Sequence, residues 1–223
     1  MRAIGACQPR SRPWAAPTKW RAADDVRTTV TRSGGRCPPH KLVMPEERLQ
    51  SVETIHLGDG RSFLLRPLRP DDLEALRRAF LRLTPEEIEY RFFYRSRGLR
   101  ASVMAQIRGF DPAREAAFVV DDAGEIRAVA DLHADAPGAR EAEFGLIVGN
   151  AISGNGIGRR LMLRLLEEAR RRHIAALVGS VRTDNTRMLE LCRDLGAVIL
   201  PVADDPATLH ARFELEGFPA LLK

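Results

Sequence analysis

The stretch Asn150–Leu163, NAISGNGIGRRLML, sets glycines at 154, 156 and 158 and then opens an apolar period at Ile157, Leu161, Leu165 and Leu166. Recurrence at three- and four-residue spacing marks an amphipathic helix, here from Gly156 to His173. A helix N-terminus leaves several amides without partners and carries partial positive charge. Glycines at that point remove side chains that would block an anion, so bare amides can converge on a pyrophosphate. Arg159 and Arg160 follow directly and add charge at the rim. Taken alone, the loop fits a phosphate cradle and a ligand-free Gly-rich turn equally well. It lacks the G-x-x-x-x-G-K-[ST] pattern of a phosphate loop. Its G-x-G-x-G spacing, placed after at least three strands, differs from the dinucleotide fingerprint G-x-G-x-x-G.

Upstream, EAAFVVDD, GEIRAVADLHAD and REAEFGLIVG read as three strands, with DDAG and DAPGA as turns, so an antiparallel meander is expected. Further upstream, VETIHLGDGRSFLLRPL reads as a hairpin turning at Gly58–Gly60. PDDLEALRRAFLRL reads as a helix with Asp71 or Asp72 at its N-cap. TPEEIEYRFFY opens a second helix, with Thr84 as cap, Pro85 at the first helical position and Glu87 completing a capping box. Downstream, IAALVGSV is apolar enough for a strand covered on both faces. DNTRMLELCRDLGA is a helix expected to be capped by Asp184 and stopped at Gly196. AVILPV and ATLHARFEL close the chain as strands. The element order is therefore ββ-αα-βββ-α-β-α-ββ, an α+β pattern that mixes a meander with βαβ crossovers.

The 223 residues are 44% hydrophobic, enough for one medium domain with a core. The formal charge of +5 is unevenly spread: residues 1–43 hold nine Lys/Arg against two Asp/Glu, and the remainder is slightly acidic. A nucleic-acid footprint on the folded part is therefore not expected. No apolar run approaches the roughly 18 residues of a membrane span. Three cysteines, Cys7, Cys37 and Cys192, are too sparse for a disulfide framework and point to a reducing, cytoplasmic setting. Cys37 and His40 in CPPH have no second ligand pair, so no metal site is expected. Residues 1–50 read as a disordered basic tail, with Met44 an alternative start, and residues 51–218 as the folded domain.

IVGNAISGNGIGRRLMLRLLEEA resembles the coenzyme A motif of the GCN5-related N-acetyltransferases (GNAT), V-x-P-x-x-[QR]-G-x-G-[IL]-[GA]. Val148 aligns with the first valine, and Gly154, Gly156, Ile157 and Gly158 with the later positions. VRTDNTRMLELCRDLGA resembles the family's N-x-x-(A/M)-x-x-L-x-x-x-x-G-F segment, with Asn185 in place. The resemblance covers about residues 62–200, and EYRFF and AEFGLIV are most similar to bacterial protein-lysine acetyltransferases. It implies a central mixed, mostly antiparallel sheet of about seven strands flanked by about four helices. It also implies acetyl-CoA as co-substrate, no metal, and an amine acceptor such as a protein lysine. Ser153 stands where the motif has Gln or Arg, and Asn150 where it has Pro. Backbone amides do most of the pyrophosphate work, so Ser153 should weaken binding rather than abolish it.

By the same resemblance, Leu146, Ile147 and Val148 would pair with the pantetheine arm like an added strand. Ser153, Gly154, Asn155, Gly156, Ile157, Gly158 and Arg159 would form the pyrophosphate cradle, and Asn185 would hydrogen-bond the arm unless it is an ordinary first-turn residue. The backbone N–H of Val148 would serve the oxyanion. A lysine, with pKa near 10.4, needs a base to deprotonate it. Glu143 is the candidate, against a plain solvated strand residue. Cys192 occupies the position where the family often has a tyrosine acid, and is otherwise a core thiol. If the hairpin turns at 136–140, His133 sits opposite Glu143, as a base partner or as a sheet histidine without a role. Tyr90, Arg91, Phe92 and Phe93 are either an acceptor wall or core. Two other readings remain: a non-catalytic acyl-CoA sensor and a nucleotide-binding module. Monomer and homodimer are both compatible with the sequence.

Overall fold

The computed structural model describes residues 52–92 and 110–216. The tail at 1–50, the start at Met44, Cys7, Cys37, His40, Phe93 and residues 217–218 lie outside them. The strands are β1 (Glu53–His56), β2 (Ser62–Pro67), β3 (Glu115–Asp122), β4 (Glu125–Ala134), β5 (Glu141–Val148), β6 (Ala176–Arg182), β7 (Val198–Val202) and β8 (Asp205–Glu214). The helices among the described residues are α1 (Leu73–Arg82), α2 (Pro85–Phe92), α3 (Ile157–Arg171) and α4 (Thr186–Asp194). All eight strands form one sheet in the order β1-β2-β3-β4-β5-β6-β8-β7, the eight of the element order read from the sequence and one more than the about seven that the resemblance implied. Every neighbouring pair is antiparallel except β5–β6, the join made by the α3 crossover.

Local chemistry sets the element ends. The capping box at α2 is formed as expected: Thr84 N donates to Glu87 Oε2 at 2.7 Å, and Glu87 N to Thr84 Oγ1 at 3.2 Å. Asp72 sits at the α1 N-cap but does not cap it. Its carboxylate turns inward, accepting from Arg69 N at 2.7 Å and from both terminal nitrogens of Arg66 at 2.7 and 2.8 Å. Asp184 does not cap α4 either. That work falls to Asn185, whose Oδ1 accepts from Met188 N at 3.2 Å, while Asp184 pairs with Arg182. At the other end Gly196, with φ +88°, closes α4 in a Schellman motif: Ala197 N donates to Cys192 O and Gly196 N to Arg193 O, both at 2.9 Å.

Strand alternation divides the sheet into two faces. One face carries Phe118, Ala130, Leu132, Phe144, Leu177 and Phe213, buried with α3 and α4 in the main core. The other carries Val119, Ile126 and Val129 packed with Leu76 of α1. On that second face β6 departs from the expectation of double cover, since Val178 and Ser180 are only half-buried. The same face turns polar toward one end of the meander, and the candidate site begins there.

Candidate functional site

β5 keeps its partner on one side and loses it on the other. It pairs with β4 from Ala142↔Ala134 through Val148↔Ala128. With β6 it pairs only at Glu141↔Ala176, Ala142↔Leu177 and Glu143↔Val178. Beyond Glu143 the two strands part. Gly149 N donates to Arg127 O at 3.0 Å, which fixes the alternation along β5. Ile147, opposite Val129, exchanges hydrogen bonds with β4, whereas Leu146 and Val148 direct N–H and C=O into the gap. The Val148 amide therefore points into the gap between β5 and β6. Ile147 is a correction to the expected trio: its backbone is committed to β4, and its side chain packs with the α1 cluster.

The glycine loop lies at the mouth of this gap. A single 3-10 turn, Asn150–Ile152, anchors it through Ile152, which is buried. Gly154 and Gly156 have φ of +81° and +73°, a left-handed backbone that disfavours any side chain. Gly156 is the N-cap of α3 and offers no side chain to cap it. The first intrahelical bond is Arg160 N to Gly156 O at 3.1 Å, so the amides of Ile157, Gly158 and Arg159 have no acceptor within the helix. The Ile157 side chain is buried, so only its backbone faces the loop. Gly158 lies against Leu146 and Val148, where an added Cβ would stand 3.5 and 3.6 Å from their side chains. Asn155 braces the loop by donating from Nδ2 to Ile152 O and Ser153 O, both at 3.2 Å. Arg159 is exposed, while Arg160 is drawn to Glu53 at 2.5 Å. Arg187 reaches Ser153 Oγ at 3.4 Å from the first turn of α4. It was not among the expected residues, and its only sequence signal was its position two after Asn185.

On the second face of the sheet, Glu143 is half-buried. Burial raises its carboxyl above the ordinary value and nearby Asp135 adds to this, while His133 and Arg91 oppose it. Desolvation of the charged form is the larger cause, as expected for a partly buried carboxyl. His133 lies directly opposite Glu143 in the β4–β5 register, as the hairpin geometry required. Its Nδ1 is 2.7 Å from Glu115 Oε1. Arg91 leaves α2, crosses over Gly145, and donates from one terminal nitrogen to both Asp131 oxygens at 2.8 and 3.0 Å. Phe92 is buried with its ring 5.8 Å from that of Phe80, so it is core. Tyr90 stays half-exposed beneath the Arg182 guanidinium, 6.0 Å from its ring centre. Arg182 also pairs with Glu89 at 2.9 Å, tying α2 to the far end of β6. Sequence reading missed Glu115 and Asp131, because neither sits in a motif.

Cys192 and Asn185 both have structural roles. Cys192 is fully buried in the main core, and burial pushes its thiol up to about 12. It packs in the core, and burial makes its thiol a weaker acid. Asn185 Oδ1 accepts the α4 cap bond, which leaves its NH2 group and the second lone pair of Oδ1 for other contacts. Among the described residues no group of three His, Cys, Asp or Glu is arranged to hold a metal ion.

Comparison with known proteins agrees with this architecture. The family model described as an acetyltransferase (GNAT) domain matches residues 62–198. An acetyltransferase of Pseudomonas aeruginosa is 30% identical over 162 residues, covering 71% of this chain and 87% of the relative. The GNAT domain of PAT from S. lividans superposes with a TM-score of 0.65 at 24% identity, covering 77% of this chain and 99% of that one. The protein yncA from Salmonella typhimurium, whose structure contains its cofactor acetyl-CoA, gives a TM-score of 0.56 at 19% identity, over 71% and 96% of the two chains. With a splayed strand pair, an uncapped glycine-led helix and a matching family model, the chain belongs to the GNAT acetyltransferase family.

Proposed function

We propose that the protein transfers an acetyl group from acetyl-CoA to an amine, with a protein lysine as the acceptor and Glu143 as the general base. The observation that carries this reading is the parting of β5 and β6 beyond Glu143, beside the uncapped first turn of α3. An acyl-pantetheine arm laid along β5 would meet the N–H and C=O groups of Leu146 and Val148. Its pyrophosphate would then lie against the amides of Gly156–Arg159. The solved complex of yncA with acetyl-CoA supports this choice of donor. A carbonyl beside Val148 would gain a backbone donor as its oxygen takes up charge.

Glu143 stands on the opposite face from α3, where the acceptor would approach. Its raised carboxyl strengthens it as a base for an ammonium ion. The amine nitrogen then attacks the thioester carbon, and the thiolate takes its proton from water or from the proton that the amine released. Sparse cysteines and the buried, unpaired Cys192 suit a reducing cytoplasm.

The test is calorimetric titration with acetyl-CoA, using ATP and NAD as controls, followed by turnover of Glu143→Gln. Micromolar binding of acetyl-CoA alone is expected, with affinity kept and turnover lowered about 100-fold or more in the variant. Absence of binding overturns the reading. Binding without turnover on any amine would select an acyl-CoA sensor, which the core placement of Cys192 favours because it weakens one candidate acid.

A further inference from the structure

Glu115, His133 and Glu143 stand in one row across β3, β4 and β5. The register sets Glu115 opposite His133 and His133 opposite Glu143, so all three project to the same face. Glu115 Oε1 and His133 Nδ1 are 2.7 Å apart, with side chains only 12% and 15% exposed. The other carboxylate oxygen of Glu115 accepts from Asp111 N at 3.0 Å, and Glu115 N donates to Asp111 O at 2.8 Å. Glu115 is therefore held by the loop behind it before it reaches the imidazole. A carboxylate only accepts hydrogen bonds, so Nδ1 carries the proton. Nε2 is then the nitrogen without the proton, and Glu143 is the cross-strand neighbour of His133. Asp111 and Asp131 also lie near the ring, and Arg91 and Asp135 lie near Glu143.

We propose that Glu115 is a positioning residue that fixes His133 in its Nδ1–H form, so that Nε2 relays the proton that Glu143 takes from the acceptor amine. This rests on the acetyl-transfer reading above. The ammonium gives one proton to Glu143 and becomes a neutral nucleophile. Glu143 passes that proton to Nε2 and regains its charge. The imidazolium, with Nδ1–H still on Glu115, releases the Nε2 proton to water and returns to its starting form. Glu143 is only part-exposed, and the row gives its proton a route across one strand spacing.

Two measurements on the full chain test this. Long-range proton–nitrogen NMR, with His133→Gln assigning one of the five histidines, reads the tautomer directly. The Nδ1–H form is expected in the wild type, with a change to mainly Nε2–H in Glu115→Ala. Glu115→Gln, whose amide oxygen still accepts from Nδ1, should keep the wild-type tautomer. Turnover is then followed with acetyl-CoA and poly-L-lysine as the acceptor probe. Glu115→Ala and His133→Gln should each lower kcat about 10- to 100-fold while KM for acetyl-CoA stays within about twofold. The double variant should be no slower than His133→Gln, because Glu115 acts through the imidazole. Glu115→Gln should restore most of the rate. An Nε2–H wild type, an unmoved tautomer in Glu115→Ala, or losses that multiply in the double variant would overturn the proposal. If the wild type fails on poly-L-lysine, the lysine acceptor falls, and the tautomer result still decides the role of Glu115.

Discussion

One methyl group added at Gly145 should destabilise the protein by about 3 kcal/mol at neutral pH. A Cβ there would stand 2.0 Å from Arg91 Nη2 and 2.2 Å from its Cζ. Ordinary contact begins near 3.5 Å, so the guanidinium must retreat by about 1.5 Å. Its hydrogen bonds to Asp131, at 2.8 and 3.0 Å, do not survive that movement. Asp131 keeps only 16% side-chain exposure and would hold a charge with its counter-ion withdrawn. Breaking a buried pair at one partner costs about 3–5 kcal/mol, and the residual water contact sets the low end here. The deficit carries a pH signature. Burial already raises the Asp131 carboxyl, with Arg91 opposing, so losing Arg91 raises it further. A carboxyl raised on folding binds its proton more tightly in the folded state. The folded protein therefore loses stability as pH climbs from the unfolded carboxyl value through the folded one. The gap between Gly145→Ala and wild type should thus be widest at pH 7 and narrow toward pH 4–5. Urea denaturation at both pH values, with unchanged m, measures it. A gap under 1 kcal/mol, or one that ignores pH, would mean that Arg91 swings aside without releasing Asp131.

Other perturbations address the loop, the thiol and the α1 anchor. Gly156→Ala must place a side chain at φ +73° and should lose about 1 kcal/mol of stability while binding acetyl-CoA within about tenfold of wild type. Gly156→Glu sets an anion at the mouth of the cradle and should bind no acetyl-CoA by calorimetry. Cys192→Ala should lose about 2 kcal/mol in denaturation yet keep wild-type turnover, because the thiol fills core volume. A rate loss beyond tenfold would return Cys192 to the chemistry. Arg66→Ala strands Asp72 and Asp121 and should cost about 3 kcal/mol. Burial pushes the Asp72 carboxyl up, but the hydrogen bonds from Arg66 and Arg69 N outweigh it and hold it below its usual value. That stabilisation is present above the unfolded carboxyl value and is lost as pH falls through the lower folded one. The wild type should therefore lose its advantage over Arg66→Ala in acid, and parallel pH–stability curves would contradict the assignment.

Periodicity and turn chemistry made the element order legible, because both act within a few residues. The Thr84–Glu87 box, the Gly58–Gly60 hairpin and the stop at Gly196 are local contacts between near neighbours. Pairing between strands distant in the chain is not written that way. Nothing in EAEFGLIV says that its partner leaves after Glu143, since that depends on where α3 returns the chain as β6. Local reading also failed between adjacent acceptors. Asp184 and Asn185 both suit an N-cap, and the backbone at Asn185, with Arg182 drawing Asp184 away, decided it. Leu146, Ile147 and Val148 are contiguous in sequence, whereas a strand offers its edge groups on one side only at alternate residues. The partner of His133 lies 18 residues earlier, in a strand that carries no motif, so only register reveals it.

The one-sided bonding of β5 makes this strand unusual in time as well as in space. Gly145 and Ile147 bond to β4, while Leu146 and Val148 face the gap. Amide exchange with solvent deuterium should therefore alternate along a single strand, slow at the former and fast at the latter. A molecule that seats itself along the gap would silence the fast pair and leave the slow one as it was. Two amides thus report, residue by residue, on whether anything occupies this cleft, before any chemistry has been observed.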